Sequence, residues 1–343
     1  MSDFNPQNPA GGPSPALFFE TANAYQRSAA LHSAVELGLF TAIGTGGSTA
    51  AQAASICESS ERGVRILCDY LTIIGFLIKE GDVYKLTPDS AMFLDKGSRA
   101  YLGGTLQFLH LSTIKKSFQH LTEAVRKGGT ALPGHGSVED DHPMWVDFAQ
   151  AMMPMMMAPA MGVASRLSLE PDRKMRVLDI AAGHGIYGIV LAQQHPNVEV
   201  VALDWPHVLD VAVKNANHFG VGDRYETLPG SAFDLDFGTG YDIVLLTNFL
   251  HHFDQPTCEG LLKKVHAALA PNGRAVTVDF VVNEDRISPP STAAFSLVML
   301  ASTPSGDAYT FNQYDEMFRN SGFSGSELYP LHPSPEFVVI SNV

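Results

Sequence analysis

The sequence predicts an α/β fold: a parallel sheet with helices on both faces, preceded by a smaller, mainly helical domain of winged-helix outline. Three observations carry that prediction. From Arg176 onward, short apolar runs rich in β-formers ("RVLDIA", "VEVVALDW", "YETLPG", "YDIVLLTN", "RAVTVDFV") alternate with helical stretches at 185–195, 207–219 and 256–269, the rhythm of strands joined by crossover helices. A glycine-rich turn, Gly183-His184-Gly185-Ile186-Tyr187-Gly188, follows the first run, where such sheets bind their ligands. Upstream, Ser48–Ser90 reads as helix, turn, helix and hairpin.

At 343 residues the chain is long enough for two units. Residues 1–15, rich in Pro, Gly and Asn, cannot bury enough surface to order themselves and read as a loose tail. The small domain takes 16–100. Its first helical stretch runs to about Gly38, Ser48 and Ser59 stand at cap positions of the next two helices, and Glu80-Gly81-Asp82 turns the hairpin. In a DNA-binding winged helix the second of those helices, Ser60–Ile74, would enter the major groove, yet its only basic residues are Arg62 and Arg65. A packing or dimerising module is favoured, and the apolar N-terminal helices point to a homodimer. Residues 101–170 are helical and apolar, with a methionine cluster (Met152, Met153, Met155, Met156, Met157) that is either core filler or an adaptable wall for a flat ligand. The sheet domain takes 171–343, where two further strands, around "SELYPL" and "EFVVISNV", close its edge.

Composition narrows the function. A net charge of -14, from 22 Lys+Arg against 36 Asp+Glu, repels a phosphate backbone and argues against nucleic acid. The three cysteines, Cys57, Cys68 and Cys258, lack metal-type spacing and fit a reducing compartment. No signal-peptide pattern opens the sequence and no apolar run reaches spanning length, so a soluble cytoplasmic protein with neither membrane nor metal partner is expected.

The G-x-G-x-x-G spelling suggests a dinucleotide, but Asp179 lies two residues before Ala181 and would repel a pyrophosphate over the turn. A ligand with an ammonium group welcomes that carboxylate. S-adenosylmethionine carries one, with a sulfonium and no phosphate. Asp204, ending the second strand, can accept from a ribose diol, and Trp205 can lie against the ribose or adenine or serve the core. Ser231, Phe233 and Asp234 in "GSAFDLDF" offer a stacking face and polar groups to an adenine.

With "VLDIAAGHG", "VVALDW", "GSAF" and "LLTNFLHHF" in this order, the chain resembles the class I S-adenosylmethionine-dependent O-methyltransferases, above all the caffeate-type plant enzymes and their bacterial natural-product relatives. The resemblance spans nearly the whole chain and implies a Rossmann-like catalytic domain behind a winged-helix dimerisation domain. It places the cofactor turn on Ala181, Gly183 and Gly185, the ribose acid on Asp204, and the general base on His251, with Asn248 of the same segment in the cofactor set. Ala181-Ala182-Gly183 replaces three glycines, and Ser231 and Ala232 replace an Asp and a Met. Two acids flank the base in plant relatives: one falls on Asp279, the other near Ala308, beside which stands Asp307. Phe148 and Met152 match the F-x-x-x-M substrate wall, with Met156 one helical turn on. The implied reaction is methyl transfer to a hydroxyl of a small aromatic molecule, the imidazole taking the phenolic proton. Two alternatives stay open: a relative using the cofactor for a pericyclic, hydroxylation or decarboxylation step, and a winged-helix ligand sensor.

Overall fold

The structure, a computed structural model, describes residues 13–167, 169 and 172–343. The loose tail expected over 1–15 thus falls mostly outside the described residues, and the first helix, Ala16–Ala22, follows Pro15 directly. The chain divides into two compact units with the boundary between Leu106 and Gln107, so most of the helical stretch expected as a separate 101–170 region belongs to the second unit.

In the first unit, strand β1 (Ser48–Thr49) leads into helices Ala50–Ile56 and Glu61–Ile73, then into the hairpin β2 (Leu77–Glu80) and β3 (Val83–Leu86); the sheet order is β1-β3-β2. Gly81, at φ 59, supplies the left-handed turn residue. The helix caps fall one residue later than expected. The Ser48 hydroxyl donates to the Thr49 carbonyl at 3.2 Å, and the Ser59 hydroxyl donates to the Cys57 carbonyl at 2.9 Å. Thr49, in a capping box with Gln52, and Ser60 do the capping instead. The core gathers Leu39, Phe40, Leu71 and Tyr84, whose hydroxyl donates to Asp69 at 2.7 Å.

The second unit is built on a seven-stranded sheet: β4 (Met175–Ile180), β5 (Val198–Asp204), β6 (Tyr225–Pro229), β7 (Tyr241–Thr247), β8 (Leu269–Asp279), β9 (Gly325–Pro330) and β10 (Phe337–Asn342), in the order β6-β5-β4-β7-β8-β10-β9. β4 to β8 pair in parallel, while β10 is antiparallel to both its neighbours. The two final strands do complete the sheet as expected, but the later one lies inside it. Alternation of side chains sends Val177, Val276 and Val338 to one face, with helices Met144–Leu167 and Ile186–Gln194, and Leu178, Val244 and Val339 to the other, with helices Gln255–Ala268 and Phe311–Asn320. Each of these side chains, removed from water, contributes about 1.5–3 kcal/mol. Burying both faces leaves one place for a ligand, the edge where β4, β5, β7 and β8 end together and β10 begins. Among the described residues no helix is long and apolar enough to cross a membrane.

Candidate active site

The turn after β4 is tightly folded. Ala181, Gly183 and Gly185 have φ 54, 57 and 74, and the left-handed value at Ala181 costs a side-chain-bearing residue about 1–2 kcal/mol. Strain of this kind concentrates at functional sites. Gly185 cannot carry a side chain, because a Cβ there would run into the Tyr225 hydroxyl.

Four of the turn's N–H groups are already spent. Gly183 N–H donates to Asp204 Oδ2 at 2.8 Å, Gly185 N–H to the Ala182 carbonyl at 2.7 Å, Ile186 N–H to His184 Nδ1 at 3.2 Å, and Gly188 N–H to Asp179 Oδ2 at 3.3 Å. A pyrophosphate would find no free amide at these four positions. Asp179 is 1% exposed and its Oδ1 has no partner. Burial pushes its carboxyl up to about 8, only partly countered by the Gly188 N–H, and Asp204 adds repulsion. Asp204 is raised to about 6, again chiefly by burial, with both oxygens receiving backbone N–H groups from Gly183 and Trp205. A buried acid with an orphaned oxygen, Asp179, beside the half-buried Asp204, fits a cationic ligand such as the ammonium group of S-adenosylmethionine.

The other cofactor candidates lie around the same edge. Trp205 is half-buried and packs with Ala149 and Val208, directly after Asp204. Ser231 Oγ accepts from Phe233 N–H at 3.2 Å, and the Phe233 ring meets Phe253 edge-on at 4.8 Å. Phe233 and Asp234 also line an open hollow of about 430 Å³ that runs past Phe237 and Thr239 to Ala267 and Ala268, toward the starts of β7 and β8. Asn248, past the end of β7, has φ 53 and a buried Oδ1 without a partner.

His251 sits in a short 3-10 turn, Leu250–His252, just beyond β7. Its Nδ1 is 2.6 Å from Asp279 Oδ1, with the histidine 3% and the aspartate 0% exposed. Asp279 ends β8, next to β7 in the sheet, so neighbouring strands deliver the two groups to one point. The carboxylate fixes the tautomer: Nδ1 carries the proton and Nε2 keeps its lone pair. The neighbouring His252 turns away, its Nδ1 3.2 Å from the Phe249 carbonyl and its ring edge-on to Trp145 at 5.3 Å. Burial, then repulsion from His251, drives its pKa well down.

Asp307 is placed differently from the acid partner the sequence implied. Its carboxylate accepts from Arg286 at 2.6 Å, and its backbone N–H, not its side chain, meets His251, at the carbonyl. Ala308 offers no carboxyl, so Asp279 is the acid in hydrogen-bond contact with the ring among the described residues. On the opposite wall, Met152 and Met156 are buried, and Met156 Sδ accepts weakly from Tyr187 Oη and Asn248 Nδ2, each at 3.7 Å. Phe148 lies nearly parallel to His184 of the glycine turn, centroids 6.1 Å apart. Met156 therefore both fills the core and touches the edge, while Met152 fills the core.

Three residues here were not singled out from sequence. His184 is 4% exposed and lowered by burial to about 4, so it stays neutral. Tyr187 is buried beside Met156. Glu336, 2% exposed, precedes the Phe337 that pairs with Asp279; burial raises its carboxyl, and its Oε1 has no partner. Among the described residues no three His, Cys, Asp or Glu side chains are grouped to hold a metal.

An edge of this kind defines an α/β enzyme that receives a cationic nucleoside rather than a dinucleotide. Comparison with known proteins agrees. The O-methyltransferase domain model matches residues 118–324 and the O-methyltransferase dimerisation domain model matches 19–96. The crystal structure of a Nostoc punctiforme protein assigned to the O-methyltransferases has a TM-score of 0.94 at 53% identity, over 97% of this chain and 100% of that one. The 3-hydroxy-5-methyl-1-naphthoate 3-O-methyltransferase of Streptomyces sahachiroi is 28% identical over 316 residues, 90% of each protein. Human N-acetylserotonin methyltransferase, solved in complex with S-adenosylmethionine, shares the fold at TM-score 0.82 and 22% identity, over 98% of this chain and 99% of that one. The chain belongs to the O-methyltransferase family and is an S-adenosylmethionine-dependent enzyme.

Proposed function

We propose that the protein methylates a hydroxyl of a small, planar aromatic molecule, with His251 as the general base. The observation that carries this reading is the 2.6 Å pair between His251 Nδ1 and Asp279. S-adenosylmethionine supplies an electrophilic methyl group on its sulfonium. Asp179 would hold the ammonium end, Ala181, Gly183 and Gly185 allow close backbone approach, and Asp204 with Trp205 would take the ribose. Ser231, Phe233 and Asp234 would receive the adenine, and Asn248 adds an acceptor beside the methionine moiety. Phe148, Met152 and Met156 form an apolar wall for the aromatic ring and exclude water. His251 Nε2 takes the proton of the acceptor hydroxyl as its oxygen becomes the nucleophile; Asp279 stabilises the imidazolium that forms. The relative's naphthoate hydroxyl supports an acceptor of this class.

Calorimetric titration with S-adenosylmethionine, S-adenosylhomocysteine and NADH, followed by mass spectrometry of hydroxynaphthoates incubated with the methyl donor, tests the reading. Binding of the first two ligands and a mass gain of one methyl group are expected. NADH binding alone would overturn it. The free thiols Cys57, Cys68 and Cys258 support a reducing, cytoplasmic setting.

The dimerisation-domain match supports a homodimer. Leu17, Phe18, Phe19 and Tyr25 on the first two helices are more than half exposed, an apolar surface of the kind that associates. Sedimentation should give a dimer mass at micromolar concentration, and Phe18→Asp with Phe19→Asp should shift it toward the monomer. A wild-type monomer mass would remove the homodimer proposal.

A further inference from the structure

The His251 ring is oriented by Asp279, but its backbone is held from another side. Asp307 N–H donates to the His251 carbonyl at 2.9 Å, and Gly306 lies so close that a Cβ there would collide with that same oxygen. Tyr309 Oη donates to the Phe253 carbonyl at 2.5 Å. Residues 306–309 thus form a shelf against the histidine turn. From Asp279 the chain enters a second segment, 281–288, whose Val282 N–H donates to the Tyr309 carbonyl at 3.1 Å.

Arg286 ties the two segments together. Its guanidinium donates to Asp307 Oδ2 at 2.6 Å, to the Ala308 carbonyl at 2.9 Å and to Gln313 Oε1 at 3.3 Å. Its own φ is 62, in the left-handed region that disfavours a side chain. The pair is partly exposed, 44% and 32%, and ion pairs in such settings contribute little to stability. A strained backbone that aims a three-way guanidinium contact at the shelf therefore asks for a reason other than stability.

We propose that Arg286, acting through Asp307, is a positioning residue for the reaction: it closes a ring of contacts from Asp279 to His251, from His251 to Asp307, and from Arg286 back along the chain to Asp279. Asp279 sets the direction of the imidazole and the Arg286 ring sets its place. The inference rests on His251 being the base. A reacting group displaced by about an ångström loses up to roughly a hundredfold in rate, so even slight drift of the shelf is costly.

Arg286→Ala should lower kcat by about 10- to 100-fold, with KM for the acceptor, affinity for S-adenosylhomocysteine and Tm essentially unchanged. Arg286→Lys should be intermediate, and added guanidinium should restore part of the Arg286→Ala loss. Asp307→Asn should resemble Arg286→Ala, and the double variant should be no worse than either alone, because both break one contact ring. A readout independent of any acceptor is the low-field proton resonance of His251 Nδ1–H in the S-adenosylhomocysteine complex. It should broaden or shift in Arg286→Ala. Unchanged kcat and resonance, additive losses, or a fall in Tm with activity that guanidinium does not restore would each overturn the proposal. Full turnover in His251→Ala would show instead that the base assignment had failed, and this inference with it.

Discussion

Replacing His251 by alanine should leave S-adenosylhomocysteine binding intact and lower turnover by roughly two to four powers of ten, the span of general base catalysis. Cofactor contacts are proposed for Asp179, Asp204 and the glycine turn, none of which bonds to the His251 ring. What the variant loses is the acceptor for the phenolic proton. A phenol, with an ordinary pKa near 10, is almost wholly protonated at neutral pH and is a poor nucleophile in that form. Asp279→Asn should come close to the same loss, because an amide can present its N–H to Nδ1 and turn the lone pair of the ring away from the substrate. Single-turnover rates at saturating cofactor isolate this effect from binding. If His251→Ala reacts at the wild-type rate, alignment alone drives the transfer.

The second large effect is on cofactor binding and its dependence on pH. Burial holds the free Asp179 carboxyl up to about 8, so it is mostly protonated at pH 7. Receiving an ammonium requires it charged, and binding then releases a proton. Affinity for S-adenosylmethionine should therefore climb as pH rises from about 6 toward 8, by up to about tenfold per unit. Above about 8 the amino group of the ligand begins to lose its own proton and affinity should fall again. Asp179→Asn should weaken binding by about 10- to 100-fold, the worth of a hydrogen bond to a charged group, and flatten the rising limb. Titration at pH 7 in two buffers of different ionisation enthalpy measures the released proton directly. No release in the wild type would mean that Asp179 faces no cation. Stability carries the opposite sign: the folded carboxyl keeps its proton to about 8 and the unfolded one only to about 4, so the ligand-free protein should lose Tm as pH rises between those values.

The strands were readable in the sequence because a sheet buried on both faces needs unbroken apolar runs such as "IVLLT", and the helices between them keep their spacing. The ends of the crossover helices were readable to within a residue, whereas the N-terminal stretch, read as helical to about Gly38, breaks at Asn23 and resumes after Gly38 as Leu39–Ile43. Ser48 and Thr49 are equally good caps on paper and both pair with β3; what separates them is the reciprocal capping box of Thr49 with Gln52, while the Ser48 hydroxyl donates to the Thr49 carbonyl. His251 and Asp279 could be paired from the resemblance, and the sheet supplies the physical reason, adjacent strands ending side by side. Asp307 shows the limit of such transfer. Standing beside the expected position says nothing of where a carboxylate points, and Arg286, distant in sequence, draws it away. Glu336 reads as an ordinary loop acid until the antiparallel pairing of Phe337 with Asp279 brings it to the ligand edge.

That pairing also bears on how the protein comes to exist. β10 lies between β8 and β9, so β8 keeps one row of backbone N–H and C=O groups uncovered until residues 337–342 have been synthesised. On a ribosome, every strand that carries a proposed cofactor residue, and the His251 turn as well, emerges before the strand that seals the edge beside Asp279. The nascent domain must wait with an open, apolar strand edge, the feature that invites pairing with another chain. Conditions that slow synthesis of the final strands should thus favour aggregation over enzyme, without any change in the stability of the finished fold.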